Sequence, residues 1–185
     1  MTGLELVWVA LLPVIESLEK LGVSHHVGGS VASSLLAIAR STQDVDLVAD
    51  LETDHVSPFA ESLEGAYYVD EQAVMDAVRR RASFNTLHVA SMFKVDVFVS
   101  RRDRFSQLNA ERRVSIEIPE LNRSITTCSP EDIVLHKLDW FQQGDGISHR
   151  QWEDALNVLR FHGPALDRGY LRKWAELLER ALGES

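Results

Sequence analysis

Leu4, Val7, Leu11, Val14, Ile15, Leu18 and Leu21 recur at intervals of three and four residues. That is the period of an α-helix with one buried stripe, and Gly22 marks its stop. Residues 24–27 predict a short strand, broken by Gly28-Gly29. Ser30 then opens an apolar helix to about Ala39. After a polar loop at 40–43 the rhythm changes: Val45, Leu47 and Ala49 alternate with Asp44, Asp46 and Asp50, as on a strand with one face buried. Helices are expected at 58–63 and 71–81. Residues 84–89 and 93–99 predict two strands around a turn at Ala90-Ser91. On the second of these, Lys94, Asp96 and Phe98 face one way, and Phe93, Val95, Val97 and Val99 the other. Further strands are expected at 114–118 and 124–127. Ser129-Pro130-Glu131-Asp132 combines a capping serine, a proline at the first helical position and acids in the first turn. From there the pattern is helical, at 130–142, 148–161 and 167–182, with breaks at Gly144, Gly146, Gly163 and Pro164. Mixed strands and helices followed by helices alone predict an α+β fold: a core over residues 1–128 and a C-terminal helical extension over 129–185.

Composition narrows the class. With 45% hydrophobic and 25% charged residues, the 185-residue chain can bury a real core. No apolar run reaches the roughly 18 to 20 residues of a membrane span. The first helix contains Glu5, Glu16, Glu19 and Lys20 and lacks the features of a signal peptide. Cys128 is the single cysteine, which excludes disulfide scaffolds and cysteine-rich zinc sites and predicts an inert buried thiol. These features predict a cytoplasmic protein with no membrane partner. A net charge of -9 argues against a general DNA-coating role. Ten of the nineteen Lys and Arg residues nevertheless lie within 79–123, either as a solvated face or as a basic lip beside a polyanionic substrate.

Three features carry candidate chemistry. Gly28-Gly29-Ser30 stands at a strand-to-helix junction, where free amides and the positive end of the helix dipole suit a phosphate. Asp44 and Asp46 are two apart on a strand and share a face; such carboxylates repel unless a cation lies between them, and hard oxygen donors suit Mg²⁺. Asp96 sits among apolar residues on a second strand, where burial without a partner is costly. Each has a plainer reading: a common Gly-Ser turn, an acid-decorated strand face, a sheet-edge aspartate. Together they are more specific. Thirteen residues separate Ser30 from Asp44, room for one helix out and a loop back into a neighbouring strand.

Gly29-Ser30, the spacer, Asp44-Val45-Asp46 and the later strand aspartate resemble the nucleotidyltransferase superfamily with the DNA polymerase β-type core. The segments Val27-Gly28-Gly29-Ser30-Val31-Ala32 and Arg40-Ser41-Thr42-Gln43-Asp44-Val45-Asp46-Leu47 are most similar to the bacterial AbiEii-type group, which includes toxins of toxin–antitoxin systems. The motifs cover residues 24–99. The likeness extends more weakly to Lys137 and Arg150-Gln151-Trp152-Glu153-Asp154, where the tail motif is imperfect. The resemblance implies a mixed sheet flanked by helices and transfer of a nucleoside monophosphate from a triphosphate to a hydroxyl on RNA, protein or a small molecule. It implies Mg²⁺ or Mn²⁺ held by Asp44, Asp46 and Asp96, with Asp96 also helping to deprotonate the acceptor. Gly28, Gly29, Ser30, Arg40, Thr42 and Lys137 would bind the nucleotide, and an antitoxin is an implied partner. Lys137 and Asp154 also admit a plainer role as a surface salt bridge between helices. The alternative to an enzyme is a non-catalytic member of the fold that binds a nucleotide or a partner protein.

Other residues carry less. His25 and His26 are adjacent on a strand, so they point to opposite faces and cannot pair as ligands. Trp140, Trp152 and Trp174 are expected in the core of the tail, and Tyr67-Tyr68 in strand packing rather than base stacking.

Overall fold

The computed structural model describes residues 3–37, 44–143 and 149–183. The elements follow the hydrophobic rhythm closely. Helix α1 (Gly3–Lys20) precedes strand β1 (His25–Val27), helix α2 (Gly29–Leu36) and strand β2 (Asp44–Ala49). Helix α3 (Val56–Leu63), strand β3 (Tyr67–Tyr68) and helix α4 (Glu71–Arg80) lead to the hairpin β4 (Ser83–His88) and β5 (Phe93–Val99). Helix α5 (Arg104–Glu111), strands β6 (Val114–Ile118) and β7 (Arg123–Thr127), and helices α6 (Pro130–Gln143), α7 (His149–His162) and α8 (Arg168–Gly183) complete the described chain. Among these residues no helix is long and apolar enough to cross a membrane.

The strands form one seven-stranded mixed sheet in the order β3-β4-β5-β2-β1-β7-β6. β2 runs parallel to β5 and antiparallel to β1, and β1 runs parallel to β7. Alternation does what the sequence predicts: Val45, Leu47, Ala49, Val95 and Val97 are fully buried on one face. Against that face pack α1 and α3; the edge-on Phe59–Phe84 ring contact and the hydrogen bond from Tyr67 Oη to the Ala10 carbonyl, 2.7 Å, tie them down. The first helix thus packs on its own sheet. On the opposite face lie α2, α6 and α7, packed on one another, and between them and β4 stand the carboxylates. The apolar core runs on through Ile133, Val134, Ala155 and Val158, so the last helices share it with the sheet.

Several expectations need correction. The helix after Ser30 ends at Leu36; positions 38 and 39 lie outside the described residues. Helix α5 has no clear apolar stripe and buries Asn109 alone, so periodicity misses it. The local signal was Asp103, whose carboxylate caps the helix by accepting from Ser106 N at 2.7 Å. Trp140 and Trp152 are not core residues: they are 53% and 43% exposed, and the Trp152 ring lies against that of Phe141. The basic segment is not one open lip. Arg81 and Arg102 pair with Asp50 and Glu52, Arg112 with Glu131, Arg123 with Glu16 and Glu19, and Lys94 with Asp96.

A polar cluster joins the C-terminal helices to the rest. Asp132, fully buried at the start of α6, accepts hydrogen bonds from Ser129 Oγ at 2.8 Å and Tyr170 Oη at 2.7 Å. Asn109 of α5 donates to the same carboxylate and accepts from His136 Nε2. The Arg112 guanidinium stacks 4.0 Å from the Tyr170 ring centre and pairs with Glu131 at 3.0 Å.

Candidate active site

The site is built where β1 hands over to α2. Gly28 is extended and its amide donates to the Asp46 carbonyl at 2.8 Å, extending the β1–β2 pairing to the helix start. Gly29 has φ +56, and a β-carbon added there would lie 1.6 Å from Asp46 Oδ2. The turn therefore needs glycine twice over, for its left-handed backbone and for the carboxylate pressed against it. Asp46 is thereby held against the first turn of α2, and Ser30, the next residue, is buried.

Alternation puts Asp44 and Asp46 on the same face of β2. In the parallel pairing with β5, Asp46 stands opposite Asp96 and Asp44 opposite Lys94. Neighbouring strands lie about 4.8 Å apart, so three carboxylates and one ammonium share a small patch. Asp46 registers the crowding. Its pKa is raised from 3.8 to about 6, first by burial and then by the Asp44 charge; Asp96 adds to the rise, while Lys137 and Lys94 oppose it. Lys94 Nζ lies 2.7 Å from Asp96 Oδ2, a hydrogen bond that raises the Lys94 pKa above its ordinary value. A patch with this excess of negative charge and hard oxygen donors fits a divalent cation. Among the described residues no three His, Cys, Asp or Glu side chains close into a ligand cage, and Asp96 is turned to Lys94. Mg²⁺ suits such an open arrangement, because it retains waters and binds through one or two carboxylates plus substrate phosphates.

Across the Gly29–Ser30 turn, two cations meet one hydroxyl. Lys137 Nζ of α6 and Arg150 Nη2 of α7 each lie 3.3 Å from Ser30 Oγ. Lys137 also pairs with Asp154 at 3.0 Å. That helix-to-helix salt bridge is formed, but it is buried rather than on the surface, with side chains 5% and 6% exposed. In the sequence Arg150 belongs only to the weak tail likeness and has no site role of its own. Its relevance appears only when α6 and α7 are seen to run antiparallel, with Lys137 facing Asp154 and Phe141 facing Trp152. Arg40 and Thr42 lie outside the described residues.

The remaining candidates stand apart. His26 is buried, and burial followed by the Arg113 charge lowers its pKa to about 3, so it is neutral. His25 is half-buried, with Nδ1 2.9 Å from the Val23 carbonyl. Burial pushes the Cys128 thiol up to about 12, which keeps it inert.

No protein-family model matches the sequence, and no curated protein matches it significantly by sequence. Solved structures do match in shape. The antibiotic-resistance factor ANT(2'')-Ia, in its solution structure, aligns over 100% of this chain and 94% of its own, with 13% identity and a TM-score of 0.59. The lincosamide antibiotic adenylyltransferase LnuA, bound to lincomycin, aligns over 80% of this chain and 93% of its own, with 16% identity and a TM-score of 0.54. An antigenic nucleotidyltransferase-like protein from Paracoccidioides brasiliensis aligns over 95% of this chain and 87% of its own, with 17% identity and a TM-score of 0.58. The chain has the nucleotidyltransferase fold.

Proposed function

We propose that the protein is a metal-dependent nucleotidyltransferase that moves a nucleoside monophosphate from a nucleoside triphosphate to a hydroxyl of a small molecule. One observation carries the reading: Asp46 is pressed against the Gly29–Ser30 turn, stands in register with Asp96, and feels the Lys137 charge from the phosphate side. A carboxylate so placed links a triphosphate cradle to an acceptor site. The Gly29 backbone and the Ser30 hydroxyl would hold the terminal phosphates, with Lys137 and Arg150 neutralising them. Asp44 and Asp46 would hold Mg²⁺ or Mn²⁺, and Asp96 would complete the set once released from Lys94. The bound ion would supply charge neutralisation at the α-phosphate and the leaving pyrophosphate. The acceptor oxygen forms a bond to the α-phosphorus, the α–β phosphoanhydride breaks, and the hydroxyl proton passes to Asp96. Positioning and charge do most of the catalysis in such chemistry.

A small-molecule acceptor is favoured over RNA because similar folds include LnuA bound to lincomycin and ANT(2'')-Ia with adenylyl-2''-tobramycin. The toxin reading, with an antitoxin partner, rests on the motif likeness at residues 27–32 and 40–47. The test is label transfer from each α-labelled triphosphate, with Mg²⁺ or Mn²⁺, to cellular RNA, protein and a small-molecule extract. Label in the small-molecule pool, lost in an Asp44→Asn, Asp46→Asn variant, is the expected result; label retained by that variant sinks the assigned site. The Lys94–Asp96 pair favours a second reading, a non-catalytic nucleotide binder. Thermal stabilisation by triphosphate and Mg²⁺ without label in any pool would select it.

A further inference from the structure

The sheet register continues past the carboxylates. Across the strands, Asp44 pairs with Lys94, Lys94 with Leu87, and Leu87 with Tyr68. The next row runs from Asp46 to Asp96 to Asn85. Residues paired across a sheet share its face, so Tyr68, Leu87 and Asn85 stand on the carboxylate face. On the reverse of β4 and β5, the side chains of Phe84, Thr86, Val95 and Val97 are buried, and the Phe59–Phe84 contact places α3 there. On the carboxylate face, Tyr68 is 66% exposed and Asn85 is open to solvent.

We infer that this shelf is the acceptor subsite, and that it takes a neutral, ring-bearing polyol rather than a polycation. The inference rests on the nucleotidyltransferase reading and adds the acceptor class to it. Three observations point this way. The shelf is continuous with Asp96, so a hydroxyl can reach the transfer site while the rest of the acceptor lies on β4 and β3. Tyr68 is two strands beyond Lys94, about 10 Å away, the span of a sugar with one attached ring. The chemistry is that of ring stacking with directed hydrogen bonding: an exposed phenol, the Leu87 side chain and an amide that can donate and accept. Beyond Asp96, the shelf positions on β4 and β3 are Ser83, Asn85, Leu87 and Tyr68, and the adjoining turn is Val89-Ala90-Ser91-Met92. None is an acid, and Lys94 adds a positive charge at its inner edge. Asp70, two residues beyond Tyr68, is exposed but is engaged as the cap of α4, accepting from Ala73 N at 3.1 Å. The shelf strands themselves therefore offer a polycation no counter-charge once Asp44, Asp46 and Asp96 serve the metal. Val89 N donates to the Ala66 carbonyl at 3.0 Å, which ties the turn beside β3 at the same end as Lys94.

The test is chemical-shift mapping on ¹⁵N-labelled protein, titrated with MgATP and then with 4-nitrophenyl glucoside; tobramycin serves as the polycationic comparison. MgATP shifts at Gly29 and Ser30 report on the nucleotide site, so failure of the enzymatic reading is seen separately. The expected result is glucoside-dependent shifts at Asn85 and Leu87, with apparent affinity at least fivefold weaker in Tyr68→Ala and retained in Tyr68→Phe. Shelf shifts absent, equal in Tyr68→Ala, or produced more tightly by tobramycin would overturn the inference. Because Tyr68 is exposed, its replacement leaves the core packing untouched.

Discussion

Gly28 and Gly29 are neighbours with opposite tolerances. At Gly28 the backbone is extended and an added β-carbon would meet nothing closer than the Asp46 carbonyl at 3.9 Å. At Gly29 it would collide with the Asp46 carboxylate. Gly28→Ala is expected to fold and retain nucleotide binding. Gly29→Ala should lose about 2–4 kcal/mol, combining the left-handed penalty with a displaced carboxylate, and denaturant melts of both variants check the contrast. Asp46 has its own pH signature. Its folded pKa of about 6 exceeds the ordinary 3.8, so the fold prefers the protonated acid. The stability this gives is complete below about pH 4 and lost as pH rises through about 6. Without metal at pH 8, Asp46→Asn should therefore be more stable than the natural chain, by on the order of 1–3 kcal/mol. The gap should close at pH 4 or on adding Mg²⁺, and equal melting temperatures at pH 8 would refute the assignment.

Among the elements, legibility in sequence tracked how strongly burial dictates side-chain type. β2 and β5 were readable residue by residue because every second position must be apolar. Their acids were conspicuous for the same reason: Asp44, Asp46 and Asp96 interrupt nothing, yet share the face opposite the core. Helix α5 was unreadable because it has no repeating apolar stripe: it is held by Asn109 and by the single Phe105 ring, which packs against Trp174 and His136. The α6–α7 pair lay between these extremes. Each helix was evident, but the meeting of Lys137, Asp154 and Arg150 at Ser30 depends on their relative placement, which no local pattern encodes. Burial of Lys137 and Asp154 gives a test at this scale. Asp154→Leu alone strands a buried ammonium and should cost about 3–5 kcal/mol. The double variant Lys137→Met, Asp154→Leu should recover most of that loss while nucleotide binding stays impaired, which thermal melts with and without MgATP distinguish.

For the whole molecule, the cluster around Asp132 joins α5, α6 and α8, so a single hydroxyl bears on all three. Tyr170→Phe removes a donor from a fully buried carboxylate and should cost about 1–3 kcal/mol, with faster amide exchange in α8 than in α1. His26 sets an acid limit. Its folded pKa is depressed to about 3 from 6.5, so its contribution is present above about pH 6.5 and is lost as pH falls toward 3. His26→Gln should flatten acid melts in that window.

The pairing of β1 with β7 has a consequence for how the chain reaches this state. Val27 meets Thr127 a hundred residues later, whereas β4 and β5 are joined by a tight turn. Loop closure makes the distant pairing slow, and the local hairpin fast. The two halves of the sheet meet at β1, and the cations of α6 and α7 reach Ser30 from beyond that junction. The proposed triphosphate cradle, so divided, would be complete only once β1 and β7 have paired, so a nucleotide held there would bind the finished molecule and none of its folding precursors.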